Sequence, residues 1–158
     1  MNLFLFFWIF YPLLTMHHIS KSAIVAYSCE QMYQLVNQVD DYPQFLNWCS
    51  SSSILNQTDD QITASVSINK SAFNKSFTTI NTLTPNQRID MQLKDGPFNH
   101  LSGAWIFTPL TDTACKVELE LQFNFSSRVV DIAISPIFTS IANSQLDAFV
   151  SRAKQIYD

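Results

Sequence analysis

Residues 115–125 alternate between apolar and polar side chains without interruption, and this pattern limits the possible folds of the chain more than any other. The apolar members are Cys115, Val117, Leu119, Leu121, Phe123 and Phe125. Because successive side chains of a β-strand point to opposite faces, a period of two predicts a strand with one apolar and one polar face. Such a strand is typical of an antiparallel sheet that is solvated on one side.

Shorter stretches with the same alternation predict neighbouring strands. They are residues 62–69, 73–79, 89–93 and 101–107. Pro109 is expected to end the last of these strands. Residues 17–26 are rich in β-forming side chains and predict a first strand, and residues 95–98 carry a turn signal. We therefore expect a sheet of about six to seven strands.

Two short helices are predicted after the first strand. Ser28 stands three residues before Gln31, which is the spacing of a capping box. The apolar residues that follow at helical spacing are Met32, Leu35, Val36 and Val39. Pro43 can open a second helical turn, and the aromatic residues around it supply apolar cover. This region is expected to form a lid over one end of the sheet.

One long helix is predicted from about residue 128 to the end of the sequence. Its apolar stripe consists of Phe138, Ile141, Ala142, Leu146, Phe149, Ala153 and Ile156. Pro136 either kinks this helix or lies in the first turn of a new helix with Ser135 as its N-cap, and the sequence leaves both alternatives open.

The order of these elements favours an α+β protein with a helix-grip fold, in which a curved antiparallel sheet wraps around the C-terminal helix. A concave apolar space between sheet and helix is a usual place for a ligand. The expected walls of this cavity are Met91, Leu93, Trp105, Phe107, Leu121, Phe123, Phe138, Ile141 and Phe149. The alternative is that the same side chains fill a dry core.

Common catalytic and metal-binding patterns are missing from the sequence. With only two glycines there is little material for a phosphate-binding loop, and three widely spaced cysteines favour neither a disulfide framework nor a zinc site. His17 and His18 are adjacent on a strand and point to opposite faces. Glu118 and Glu120 share a face, but it is the solvated one. A net charge of −4 disfavours binding to DNA. We expect a non-enzymatic protein without a metal.

The first fifteen residues, MNLFLFFWIFYPLLT, carry no charge and are set apart from the patterned sequence. The apolar stretch is shorter than the roughly 20 residues that span a bilayer, and Pro12 interrupts it. Translation from Met16, a cleaved signal or membrane anchor, and a structural segment are three alternatives. We divide the chain into an extension, residues 1–15, and a ligand-binding domain, residues 16–158.

Several segments resemble the RatA ribosome-association toxin family, which is similar to the coenzyme Q-binding START-domain proteins. The resemblance covers roughly residues 19–157. It lies in VAYSCEQMYQLVNQVDDYPQFL, the segment from Ser52 to Leu55, FTTINTLTPNQ, LKDGPFNHLSGAWIFTPL and AFVSRAKQIY. The extension, residues 1–15, has no counterpart in the family's pattern.

This resemblance implies a helix-grip fold, a cavity for ubiquinone or another lipid-like molecule, and no established catalysis. For the bacterial branch it implies binding to the large ribosomal subunit, for which Lys70 and Lys75 are the candidate contacts. An alternative is an enzyme similar to polyketide cyclases or aromatases. We expect a cytoplasmic monomer without a cofactor other than the hydrophobic ligand itself.

Overall fold

The computed structural model describes residues 15–158, which form a helix-grip fold as the sequence predicts. The extension, residues 1–15, lies outside the described residues apart from Thr15. The elements are β1 (His17–Val25), α1 (Cys29–Asn37), a 3₁₀ helix (Val39–Gln44), β2 (Cys49–Gln57), β3 (Gln61–Lys70), β4 (Phe73–Thr84), β5 (Arg88–Asp95), β6 (Phe98–Thr111), β7 (Ala114–Phe125) and α2 (Arg128–Tyr157). Among these residues, no helix combines the length and the apolar character that crossing a bilayer requires.

All seven strands belong to one antiparallel sheet in the order β1-β7-β6-β5-β4-β3-β2. From β2 to β7, strands that are neighbours in the sheet also follow one another in the sequence. The exception is β1, which pairs with β7 from His17 opposite Phe123 to Val25 opposite Cys115. The apolar residues of the alternating pattern in β7 lie on the face that α2 covers, so this face contains the core.

Two strands differ from the sequence-based expectation. Pro109 does not end β6, which continues to Thr111 with a register shift next to the proline. Proline lacks an N–H group, and the irregular pairing accommodates that loss near the end of the strand. The edge strand β2 is not among the strands that the sequence predicts, because its sequence CSSSSILNQ does not alternate. This irregularity agrees with the two register shifts in its pairing with β3.

Both α-helices of residues 15–158 begin at a serine whose side chain caps the first turn. In α1 the capping box is confirmed: the Gln31 N–H donates to Ser28 Oγ at 3.1 Å, and the Ser28 N–H donates to Gln31 Oε1 at 2.9 Å. In α2 the N-cap is Ser127, which accepts from the Val130 N–H at 3.1 Å. The helix runs through Pro136, so the alternative of a new helix capped by Ser135 is wrong.

The turn between β5 and β6 depends on Gly96. Its φ of +147° is one that residues with a side chain rarely adopt. A Cβ at this position would come within 2.7 Å of the Phe77 Cβ. This requirement explains the glycine in the predicted turn signal and fixes where β6 begins.

The helix α2 packs on the sheet through two aromatic clusters. Around Phe138, the rings of Phe123 and Phe98 lie with centroids at 4.6 and 4.9 Å. Around Phe149, the rings of Phe45 and Trp105 both lie at 5.1 Å. Eleven positions separate the two helix residues, about three turns, so the clusters hold the helix at two well-separated points.

The first turns of α2 are attached to β1 by Asp131. His17 Nε2 lies 3.0 Å from both carboxylate oxygens, and Ser135 Oγ donates to Oδ1 at 2.8 Å. Burial acts to raise the pKa of Asp131, but hydrogen bonds from His17 and Ser135, the charge of His17 and the Phe125 N–H together hold it below its ordinary value. Ionisation of Asp131 therefore stabilises the folded state relative to the unfolded state.

We expect Asp131→Asn to lower the free energy of unfolding by about 1 to 2 kcal/mol at neutral pH, because the hydrogen bonds that His17, Ser135 and the Phe125 N–H donate to a charged group are weakened. A lowered pKa stabilises the fold above the unfolded value of about 3.9, and this contribution disappears as the pH falls through the folded value. The difference from wild type should therefore shrink below about pH 4. Urea unfolding across pH measures it, with the exposed Asp147→Asn as the control. An equal loss for both variants would contradict the assignment.

Candidate ligand cavity between the sheet and the long helix

A cavity lies between the concave face of the sheet and the middle of α2. The cavity and its open mouth together hold about 760 Å³ free of protein atoms, part of it bulk solvent, and the centre of a water molecule can reach about 100 Å³ of this space. A single buried water needs only about 10–15 Å³ by that measure, so this is a void for a small ring or several waters. The sheet and α2 therefore do not close on each other completely.

Apolar side chains from five strands form most of the wall. They include Ala64, Val66, Phe77, Met91, Trp105 and Leu121, each from the apolar phase of its strand. The helix contributes Phe138, which belongs to one of the two aromatic clusters, and Ile141 and Ala142, which lie between the clusters. Since the clusters fix α2 on either side of this stretch, they act as supports that keep the cavity open.

A few polar groups interrupt this apolar wall. Thr79 Oγ1 donates to Asn81 Oδ1 at 2.8 Å, and Ser102 Oγ lies 2.9 Å from His100 Nε2. Gln145 also lines the cavity, and its buried Oε1 has no hydrogen-bond partner among residues 15–158. A buried polar atom without a partner costs free energy, so Gln145 is suited to meet a polar group of a ligand.

The lid over one end of the cavity comes from the 3₁₀ helix and the segment that follows it. Val39, Tyr42 and Trp48 line the cavity from this side. The Tyr42 hydroxyl donates to the Val36 carbonyl of α1, and burial raises the pKa of this phenol so that it stays a neutral donor. Trp48 also borders a surface depression next to Lys70. Trp48 thus lies between the cavity and that depression.

Nine cavity residues are predicted from the sequence, and five of them line the cavity in the structure. These are Met91, Trp105, Leu121, Phe138 and Ile141. Leu93, Phe107, Phe123 and Phe149 lie instead in the packed clusters around it. Sequence reasoning missed the polar residues Thr79, Asn81, Ser102 and Gln145. Gln145 had a recognisable signal, because it is a polar residue beside the apolar stripe of α2.

The charged candidates lie away from the cavity. Lys70, at the end of β3, is half-buried and donates to Ser140 of α2 at 3.1 Å, whereas Lys75 is exposed. On the solvated face of β7, Glu118 pairs with Lys116 at 3.2 Å and Glu120 accepts from Ser20 at 2.7 Å. These groups could contact a partner at the surface, but they cannot reach a molecule inside the cavity.

Comparison with known families and proteins gives a consistent picture. A family model described as polyketide cyclase / dehydrase and lipid transport matches residues 25–150. The ribosome association toxin RatA of Vibrio cholerae is 49% identical over 142 residues, covering 90% of this chain and 99% of the relative. RatA of Escherichia coli is 48% identical over 144 residues, covering 91% of both chains. The mitochondrial coenzyme Q-binding protein COQ10 homolog B of Xenopus laevis is 28% identical over 143 residues, covering 87% of this chain and 58% of the relative.

Solved structures share the architecture. The Zhui aromatase/cyclase from a Streptomyces species superposes with a TM-score of 0.79 at 15% identity, covering 89% of this chain and 95% of that one. An 18 kDa protein from Caulobacter crescentus has a TM-score of 0.71 at 27% identity, covering 89% and 98%. The first likeness concerns the fold alone.

We expect Leu121→Trp to fill part of the cavity at a cost of no more than about 1 to 3 kcal/mol, since the larger side chain has a void to enter. Unfolding under pressure eliminates internal voids, so the volume change of unfolding should become smaller in magnitude. Pressure unfolding followed by fluorescence measures this, with Leu55→Trp on exposed β2 as the control. A volume change equal to that of the control would mean that the cavity is not a void in solution.

Proposed function

The chain belongs to the RatA family of the polyketide cyclase / dehydrase and lipid transport superfamily, and on that premise we propose that its cavity binds a hydrophobic ligand such as ubiquinone. The observation that carries this proposal is the largely apolar void and, in its wall, the buried Gln145 Oε1, which has no hydrogen-bond partner among residues 15–158. A ligand with an apolar body and a ring hydroxyl complements both features, because the hydroxyl can donate to Gln145 Oε1, and in the quinone pair it is the reduced quinol that carries this donor.

The dimensions of the cavity suit the ring end of such a ligand. Burying about 200 Å² of apolar ligand surface contributes about 5 kcal/mol to the binding free energy. The loss of translational and rotational freedom on association offsets a part of this contribution. An isoprenoid tail is too long for the enclosed space and would leave through the mouth. Trp48, between the cavity and the neighbouring depression, is our candidate for the side chain that the tail displaces.

We further propose that the protein is not an enzyme. Of the described residues that line the cavity, Tyr42 alone is titratable, and its hydroxyl is engaged with the Val36 carbonyl. General acid–base catalysis needs a positioned group whose pKa lies near the operating pH, and the raised pKa of Tyr42 does not meet this need. His100 does not line the cavity itself and meets the wall at Ser102 Oγ, 2.9 Å from its Nε2. The likeness to aromatase/cyclases concerns the fold, so cyclase activity remains the weaker alternative.

Ubiquinone with a short tail should raise the melting temperature of the purified protein and quench its tryptophan fluorescence, because Trp48 and Trp105 both line the cavity. Organic extraction followed by mass spectrometry would identify a ligand carried from the cell. Leu121→Trp should reduce uptake, and Leu55→Trp should not. If no molecule is extracted and ubiquinone changes neither signal, the ligand-binding proposal fails.

A second proposed function is association with the large ribosomal subunit. It is favoured by the close relatives named ribosome association toxin, at 48% and 49% identity over about nine-tenths of the chain. Such a role would place the protein in the cytoplasm. Because the net charge is −4, attraction to RNA has to be local. The hairpin between β3 and β4, which carries Lys70 and Lys75, is the candidate contact.

Overproduced protein should co-sediment with the large subunit and reduce the fraction of joined ribosomes in sucrose gradients. The double substitution Lys70→Glu and Lys75→Glu should weaken this effect, more strongly at low salt, since screening is least there. The matched control is Lys94→Glu with Lys154→Glu, which changes the net charge equally at exposed positions on other elements. Unchanged ribosome profiles on overproduction would reject this function.

A further inference from the structure

Two of the three cysteines meet in the fold although they are 86 positions apart in sequence. Cys29 is the first residue of α1, and Cys115 lies near the start of β7. Their Sγ atoms are 2.8 Å apart, and both thiols are free. A disulfide bond measures about 2.05 Å, so a closure of less than about 1 Å would join them. The pairing of β1 with β7, which places Val25 opposite Cys115, brings the start of α1 to this position.

The two thiols differ in their access to solvent. Cys29 is half-buried and borders a surface depression formed with Asn86 and Arg88. Cys115 is completely buried, and burial raises its pKa to about 12, with the neighbouring Cys29 thiol adding to the effect. A small oxidant in solution therefore reaches Cys29 first, and Cys115 is placed behind it as the second thiol.

We propose that Cys29 and Cys115 are a redox modification site at which a peroxide forms a reversible intramolecular disulfide. The Cys29 thiol gives up its proton, the thiolate attacks one oxygen of hydrogen peroxide, and the O–O bond breaks; the departing hydroxide takes up that proton as water, so that Cys29 becomes a sulfenic acid. The Cys115 sulfur then attacks the Cys29 sulfur, the S–O bond breaks, and the Cys115 proton leaves with hydroxide as water. Overall, two thiols and one peroxide give one disulfide and two waters.

This disulfide would tie α1 to β7. The helix α1 inserts Met32, Leu35 and Val36 into the core and is followed directly by the 3₁₀ helix of the lid. Closing a loop of 86 positions restricts the unfolded chain strongly, so oxidation should stabilise the folded state. The site does not depend on the proposed ligand, because neither cysteine lines the cavity.

Hydrogen peroxide in slight excess should lower the number of titratable thiols in the denatured full chain from three to one and reduce the intact mass by two hydrogens. Dithiothreitol should reverse both changes. The oxidised protein should run as a monomer on a non-reducing gel and unfold at higher urea than the reduced protein.

Variants of the individual cysteines distinguish this pair from general oxidation. The thiol of Cys49 is buried and donates to the Ser51 carbonyl, away from the pair, so Cys49→Ser should still lose both of its remaining thiols. Cys29→Ser should keep both of its remaining thiols after the same treatment with peroxide. Of the two paired positions, Cys29 is the half-buried one and therefore tolerates a substitution better than Cys115. Four outcomes would each overturn the proposal: loss of no thiol in wild type, equal thiol loss in Cys29→Ser, oxygen added to Cys29 or Cys115 in peptide mass spectra, or a disulfide-linked dimer.

Discussion

The packing of α2 on the concave face of the sheet is the interaction on which the rest of the structure depends. Phe138 and Phe149 anchor the helix in separate aromatic clusters, each within one of the two larger groups of buried core residues. Large rings at two points hold the backbones of helix and sheet apart, whereas the smaller Ile141 and Ala142 between them leave space unfilled. The cavity is thus a direct result of where large and small side chains stand along one helix face.

Much of the fold could be predicted from the sequence because two periodicities dominate it. The alternation in β7 identifies the buried face of the central strand, and the capping box at Ser28 identifies the start of α1. The strand β2 escaped prediction because an edge strand is paired on one side and tolerates bulges, so its side chains need not alternate. Pro136 left two alternatives because packing against the sheet decides whether a helix survives a missing hydrogen bond.

The candidate site was predictable only in part, for a physical reason. Alternation reports which face of a strand a residue occupies, but the distance of that residue from the helix depends on its position along a curved sheet. Phe107 and Phe123 therefore share the face of Leu121 and still lie in packed core. Contacts between distant segments, such as Cys29 with Cys115 or His17 with Asp131, leave no local pattern that could be read from the sequence.

The position of β1 at one edge of the sheet has a consequence for the order of folding. From β2 to β7 each strand pairs with the next in sequence, so these hairpins can close over short loops. Within residues 15–158, β1 pairs with β7 alone, and Ile19 lies opposite Leu121 across about a hundred residues of sequence. Loop-closure entropy makes such a distant pairing slow until the intervening strands have shortened the path. During synthesis from the N-terminus, β1 emerges first among the strands and must wait for the whole of β7 before it can take its place.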